Sequence, residues 1–116
     1  MINLSSHASI WTMKIAHWTL LTNHGHVLLC LAQDPDATLR EVAGRVGITE
    51  RAAHRIVGEL EEGGALKRSK DGRRNHYEIR AEFPLRHPLE AHCTVGQLLR
   101  MVSENAAPVP RGGEGN

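Results

Sequence analysis

Aromatic residues are scarce in this chain. Phe, Trp and Tyr make up only 3% of its 116 positions, so any core must be built from Leu, Val, Ile and Ala. Cysteine is nearly absent too: Cys30 and Cys93 are too few for a disulfide framework, and Cys30, inside an apolar run, reads as a buried free thiol. No apolar run approaches the roughly 20 residues of a membrane span. No basic stretch followed by an apolar one opens the sequence, so a signal peptide is not expected. These absences predict a cytoplasmic protein with no membrane partner. The usual signs of catalysis are also lacking. There is no nucleophile set beside a base, no Gly-rich phosphate loop followed by Lys, and no carboxylate pair in an evident cleft, so neither an enzyme nor a cofactor is expected. Even net charge is small, at +1.

What charge there is, however, is unevenly spread. Between Gly63 and Arg80 stand six basic residues (Lys67, Arg68, Lys70, Arg73, Arg74, Arg80) against two acidic ones, Asp71 and Glu78. That local excess sits in "KRSKDGRRNHYEIR", which reads as a β-hairpin: a strand from Ala65 to Lys70, a turn at Asp71-Gly72 and a strand from Arg74 to Arg80. Alternation places Tyr77 and Ile79 on one face, with Leu66 across from them, and Arg74, His76, Glu78 and Arg80 on the other.

Helical patterns precede the hairpin. "TNHGHVLLCLAQDPDA" predicts a helix capped by Thr22 or Asn23, with an apolar stripe of Val27, Leu28, Leu31 and Ala32, stopped by Asp34-Pro35. In "TLREVAGRVG", Thr38 and Glu41 have capping-box spacing, Leu39, Val42, Ala43 and Val46 form one face, and Gly47 stops the helix. "TERAAHRIVGELEEGG" restarts at Thr49, buries Ala53, Ile56, Val57 and Leu60, and ends at Gly63-Gly64. Two short helices joined this tightly must cross steeply, as in a helix-turn-helix. Followed at once by a basic hairpin, they predict a mainly α fold with a small β-hairpin: a winged helix-turn-helix with extra N- and C-terminal helices.

Those extra helices are apolar. Trp11, Ile15, Trp18 and Leu21 share one helical face, and Val95, Leu98, Leu99 and Val102 share another, behind a Thr94–Gln97 capping box. Two such faces beside a small core predict a homodimer, the alternative being that they pack on their own monomer. The expected organisation is an N-terminal helical extension (1–21), a winged helix-turn-helix domain (22–80), a C-terminal segment and helix (81–103) and a disordered Pro/Gly-rich tail (104–116).

On the third core helix, Arg51 and Arg55 lie opposite the apolar face, flanked by His54 and Gly58, with Glu59, Glu61 and Glu62 placed late and away from the exposed start. Arg near a helix start suits the DNA major groove, where it donates two hydrogen bonds to guanine. The basic hairpin tip suits a phosphate backbone or a narrow minor groove. Thr38, Arg40, Thr49, Arg51, His54, Arg55, Lys67, Arg68, Lys70, Arg73, Arg74, Asn75 and His76 are therefore candidate contacts to double-stranded DNA. The histidines raise another possibility: His24 with His26, or His87, His92 and Cys93, as metal ligands. Irregular spacing and Pro88 favour capping or surface roles for them, and no metal is expected.

With these pieces in view, the chain resembles the MarR/ArsR-type winged helix-turn-helix regulators, and more closely a group of small actinobacterial-type regulators. The resemblance runs from Trp18 to Val102 and is carried by "WTLLTNHGHVLL", "VGITERAAHRIVGELEEGG", "GRRNHYEI" and "PLRHPLE". It implies sequence-specific DNA binding by a dimer, with the helix from Thr49 to Glu62 as recognition helix and the hairpin as wing. Thr49, Arg51, His54 and Arg55 match its base- or phosphate-contacting positions, and Arg73 and Arg74 its wing. The chain lacks the cysteine-rich motif of metal-sensing members and is shorter than typical MarR proteins, so the effector is unknown. The other readings are a winged helix used as a protein-interaction module, or a regulator responsive to a metal or small molecule.

Overall fold

The computed structural model describes residues 18–105. Three helices, α1 (Asn23–Gln33), α2 (Leu39–Val46) and α3 (Glu50–Gly63), precede a two-stranded antiparallel sheet, β1 (Leu66–Asp71) and β2 (Arg74–Ile79). A fourth helix, α4 (Val95–Asn105), follows after a connection made mostly of turns and bends. This is a winged helix-turn-helix with an additional C-terminal helix.

Local chemistry sets most helix ends. Thr38 and Glu41 close a reciprocal capping box on α2: the Glu41 N–H donates to Thr38 Oγ1 at 3.1 Å, and the Thr38 N–H to Glu41 Oε1 at 2.9 Å. That second bond is the main reason the Glu41 carboxyl is held below its ordinary range. Gly47 then adopts φ 89°, a left-handed conformation that an L side chain resists, and stops α2. Two residues later Thr49 caps α3 by accepting the Ala52 N–H at 3.0 Å. At the far end the Gly64 and Ala65 N–H groups return to Glu61 and Leu60, giving α3 a Schellman stop. Thr22 caps α1 through its extended backbone alone, since its side chain makes no capping bond.

The core lies where α1, α2 and α3 meet the inner face of the hairpin. Leu31, Ile56, Val27, Val42 and Val57 are its largest fully buried side chains, each contributing roughly 1.5–3 kcal/mol by leaving water. Cys30 is buried beside them, whereas Ala32 is exposed. The α1 stripe thus runs through position 30, three after Val27, because the helix leans on α2 from that side.

Register pairs Leu66 with Ile79 and Asp71 with Arg74, which moves the expected turn along by one residue. Gly72 and Arg73 form the two-residue loop, and only Gly72 has positive φ (70°), the pattern of a type II′ turn. Tyr77 is buried and Ile79 half-buried on the core face, as alternation requires.

The C-terminal segment is stitched to the domain. Val95 N–H donates to Phe83 O at 2.8 Å and Gly96 N–H to Ala81 O at 2.9 Å, so residues 81–83 satisfy the first orphan donors of α4. The expected capping box is present, with Thr94 N–H to Gln97 Oε1 at 2.8 Å and Gln97 N–H to Thr94 Oγ1 at 3.2 Å. Of the expected N-terminal helix, Trp11 and Ile15 lie outside the described residues. Trp18 to Leu21 are not helical, and the Thr19 hydroxyl donates to the Leu21 carbonyl across a bend. Such a local bond competes with helix formation.

Candidate nucleic-acid interface

The helix-turn-helix presents the outer side of α3. With Ala53, Ile56 and Val57 buried, Arg51, His54, Arg55 and Gly58 are exposed. Among the described residues Arg51 and Arg40 form no ion pair, so their guanidinium donors are available to a ligand. His54 lies 3.7 Å from Glu50, one turn back. Arg55 is held at 3.4 Å by Glu59, and Glu59 also meets His24 Nε2 at 2.8 Å. The bond from His24 is the main cause that lowers the Glu59 carboxyl, so Glu59 is an anion at neutral pH. Its charge does not lie away from the exposed face as its late position implied: one helical turn brings it onto Arg55. Thr38 and Thr49 are exposed, but each spends its hydroxyl on a cap.

The hairpin cations separate into two groups. Lys67, Lys70, Arg73 and, just past β2, Arg80 are exposed and, among the described residues, form no ion pair, with Arg73 in the turn itself. The others are spent inside the molecule. Arg68 lies 3.0 Å from Glu61 near the end of α3, clamping β1 to that helix. Arg74 donates to the Asp36 carbonyl at 2.8 Å, and His76 Nδ1 lies 2.8 Å from Asp36 Oδ1. Asn75 donates to the Tyr77 hydroxyl at 3.4 Å. Asp36 and Glu61 organise these cations. Nothing in the local pattern marks Asp36 or Glu61 for this, since their partners are brought near only by the fold.

The residues expected at a dimer interface also divide. Val95 and Leu99 are buried in the chain's own core, while Leu98 and Val102 are half-buried on α4. Trp18 is 72% exposed and Leu21 half-buried. A half-open cavity of about 900 Å³ lies between the start of α1, the end of α3 and α4, floored by Leu28, Leu60, Phe83 and Leu98, with His24 and Glu59 in its wall. Among the described residues no three His, Cys, Asp or Glu gather as a metal site would require. His87 Nδ1 instead accepts the Leu89 N–H at 3.0 Å.

Residues 20–67 match the family model of the winged helix-turn-helix DNA-binding domain. A solved structure, the PcaV transcriptional regulator from Streptomyces coelicolor in complex with its natural ligand, is similar at 20% identity over 90% of this chain and 75% of that one, with a TM-score of 0.46. No curated protein matches. Among the described residues, no helix is long and apolar enough to cross a membrane. The matched stretch takes in all three core helices and the start of the hairpin.

Proposed function

We propose that the chain is a transcriptional regulator of the MarR type that binds double-stranded DNA as a homodimer, with α3 in the major groove and the hairpin tip on the backbone or in the minor groove. The observation that carries this reading is the unpaired cation set on one domain: Arg51 near the capped start of α3, with Lys67, Lys70 and Arg73 on the wing. Cations already neutralised by the fold would release few DNA counterions; unpaired ones release about 0.9 per phosphate contacted. Arg51 then reads base edges, and the wing residues position the domain. Such a protein acts where the DNA is, in the cytoplasm, and needs no catalytic group.

Dimerisation is supported by large exposed apolar side chains, Trp18 (72%), Leu20 (89%), Leu89 (82%) and Met101 (56%). The proposed interface is Trp18, Leu21, Leu98 and Val102 together with Trp11 and Ile15. In vitro selection from a random duplex library tests the whole reading. A palindromic consensus is expected, because half-site spacing mirrors the two-fold axis of the protein. Recovery of no enriched sequence, with binding insensitive to salt, would refute it and favour a protein-interaction role. A small-molecule trigger is a second reading, favoured by the cavity between α1, α3 and α4, whose wall residue Glu59 also holds Arg55. A compound that raised the melting temperature and shifted DNA affinity would support it.

A further inference from the structure

A hairpin of two strands is marginal on its own and needs support from outside the sheet. Here the support comes from the connection between α1 and α2. Tyr77 N–H donates to Pro35 O at 2.9 Å, so this connection passes beside β2 and bonds its backbone. One residue on, Asp36 grips the same strand twice. Its carbonyl accepts from the Arg74 guanidinium at 2.8 Å, and its carboxylate Oδ1 lies 2.8 Å from His76 Nδ1. Arg74 closes the hairpin loop and His76 is the next residue on the same strand face, so both grips act beside the Gly72-Arg73 tip. Two residues past Asp36, Thr38 starts α2 with its capping box. The connection is therefore anchored to the helix-turn-helix at one end and to the wing along its length.

We propose that Asp36 is a positioning residue for the wing: by holding Arg74 and His76 it sets where the basic tip stands relative to α3, with a grip that depends on the proton carried by His76. This rests on the DNA-binding reading for its functional consequence and goes beyond it in assigning Asp36, Arg74 and His76 roles other than DNA contact. A lone exposed ion pair would have little such influence. Three contacts converging on Arg74, His76 and Tyr77, from one short and capped connection, leave the strand little freedom to swing.

The proton dependence follows from the groups around the imidazole. The carboxylate of Asp36 faces His76 from the connection, Asp71 from β1 and Glu78 from β2, while Arg74 on β2 is turned to the Asp36 carbonyl and has Glu41 of α2 nearby. The hydrogen bond to Asp36 is the largest of the influences raising the His76 pKa above its ordinary 6.5, and partial desolvation opposes it. Because the folded value is the higher one, the grip is complete below the ordinary value and is lost as pH rises through the folded value. The window therefore opens near the ordinary 6.5 and extends above it.

Two measurements on the full chain decide the matter, with wild type, D36N and H76Q compared. Asp36→Asn keeps the carbonyl that holds Arg74 but removes the carboxylate. By NMR, the His76 imidazole should titrate at higher pH in wild type than in D36N; identical titration would overturn the proposal. Binding to a mixed-sequence duplex is then followed by fluorescence anisotropy at fixed ionic strength from pH 6 to 8.5. Simple electrostatics predicts that D36N, one anion fewer near DNA, binds more tightly. Loss of positioning predicts the opposite. We expect D36N and H76Q to bind at least twofold more weakly than wild type at pH 6, with the gap narrowing as pH rises. Tighter binding by D36N, or pH dependence identical in all three, would overturn the proposal. If none of the three bound duplex DNA at low salt, the DNA-binding reading itself would fall, and the titration would still decide whether Asp36 holds His76.

Discussion

Gly96 tests how α4 is joined to the DNA-binding domain. A Cβ built there would stand 2.8 Å from Ala81 Cβ and 2.9 Å from Ala81 O, closer than real Cβ atoms come to their neighbours. No flexible side-chain end can yield, because the obstacle is the backbone and first carbon of Ala81. Gly96→Ala must therefore push α4 away from residues 81–83, where the Val95 and Gly96 N–H groups are satisfied at 2.8 and 2.9 Å. Overpacking of this kind costs about 1–3 kcal/mol. Weakening two backbone hydrogen bonds adds roughly 0.5–1.5 kcal/mol each at most. Against this, Ala in place of Gly favours a helix by up to about 1 kcal/mol, and less at a first-turn position. The net is a loss of about 1–5 kcal/mol, and a Tm lower by roughly 5–25 °C for a domain of this size. Gly58→Ala is the control, since that Cβ meets nothing within 4 Å and position 58 is inside α3. It should stabilise by about 0.5–1 kcal/mol. Thermal and urea unfolding followed by circular dichroism read both. A Gly96→Ala protein as stable as wild type would mean that α4 does not pack against residues 81–83, and the account of the C-terminal segment would fail.

Further expectations concern the interface and the core. Arg51→Ala should cost about 1–3 kcal/mol of DNA affinity and relax base preference, whereas Arg73→Ala should weaken binding to all sequences and flatten the salt slope by about 0.9; quantitative binding across salt concentrations separates the two. Arg68→Ala, which removes a partner of Glu61, should leave the salt slope nearly unchanged, and a drop as large as that of Arg73→Ala would contradict its structural role. Thr49→Ala should cost about 1 kcal/mol of folding stability in urea unfolding by uncapping α3. In thiol labelling at pH 8 the half-buried Cys93 should react well before Cys30, whose burial pushes its pKa up; both should react once the chain is unfolded.

Helix positions and their stops were legible in the residues because capping is local. Thr38 with Glu41, Gly47, Thr49 and Thr94 with Gln97 each act within about one helical turn, and the structure shows each in that role. Alternation likewise placed Tyr77 and Ile79 inward. The turn was read one residue early because Asp71-Gly72 is itself a good turn pair; cross-strand register, set by Leu66 meeting Ile79, chose Gly72-Arg73 instead. The bend at Leu20–Leu21 escaped notice because helical spacing does not weigh a hydroxyl that bonds a nearby carbonyl.

The chain of residues alone therefore determined a winged helix-turn-helix and an excess of cations on its hairpin, since periodicity, caps and charge counts depend only on neighbours in sequence. Which cations are left without an internal partner was decided by the tertiary structure. Arg68 meets the Glu61 carboxylate and Arg74 the Asp36 carbonyl, 7 and 38 positions apart in the chain, while Arg51 and Arg73 have neither kind of partner among the described residues. The same folding drew Val95 and Leu99, apolar enough for an interface, into the protein's own core. Pairing and burial are properties of distances in space, and such distances exist only once the chain has folded.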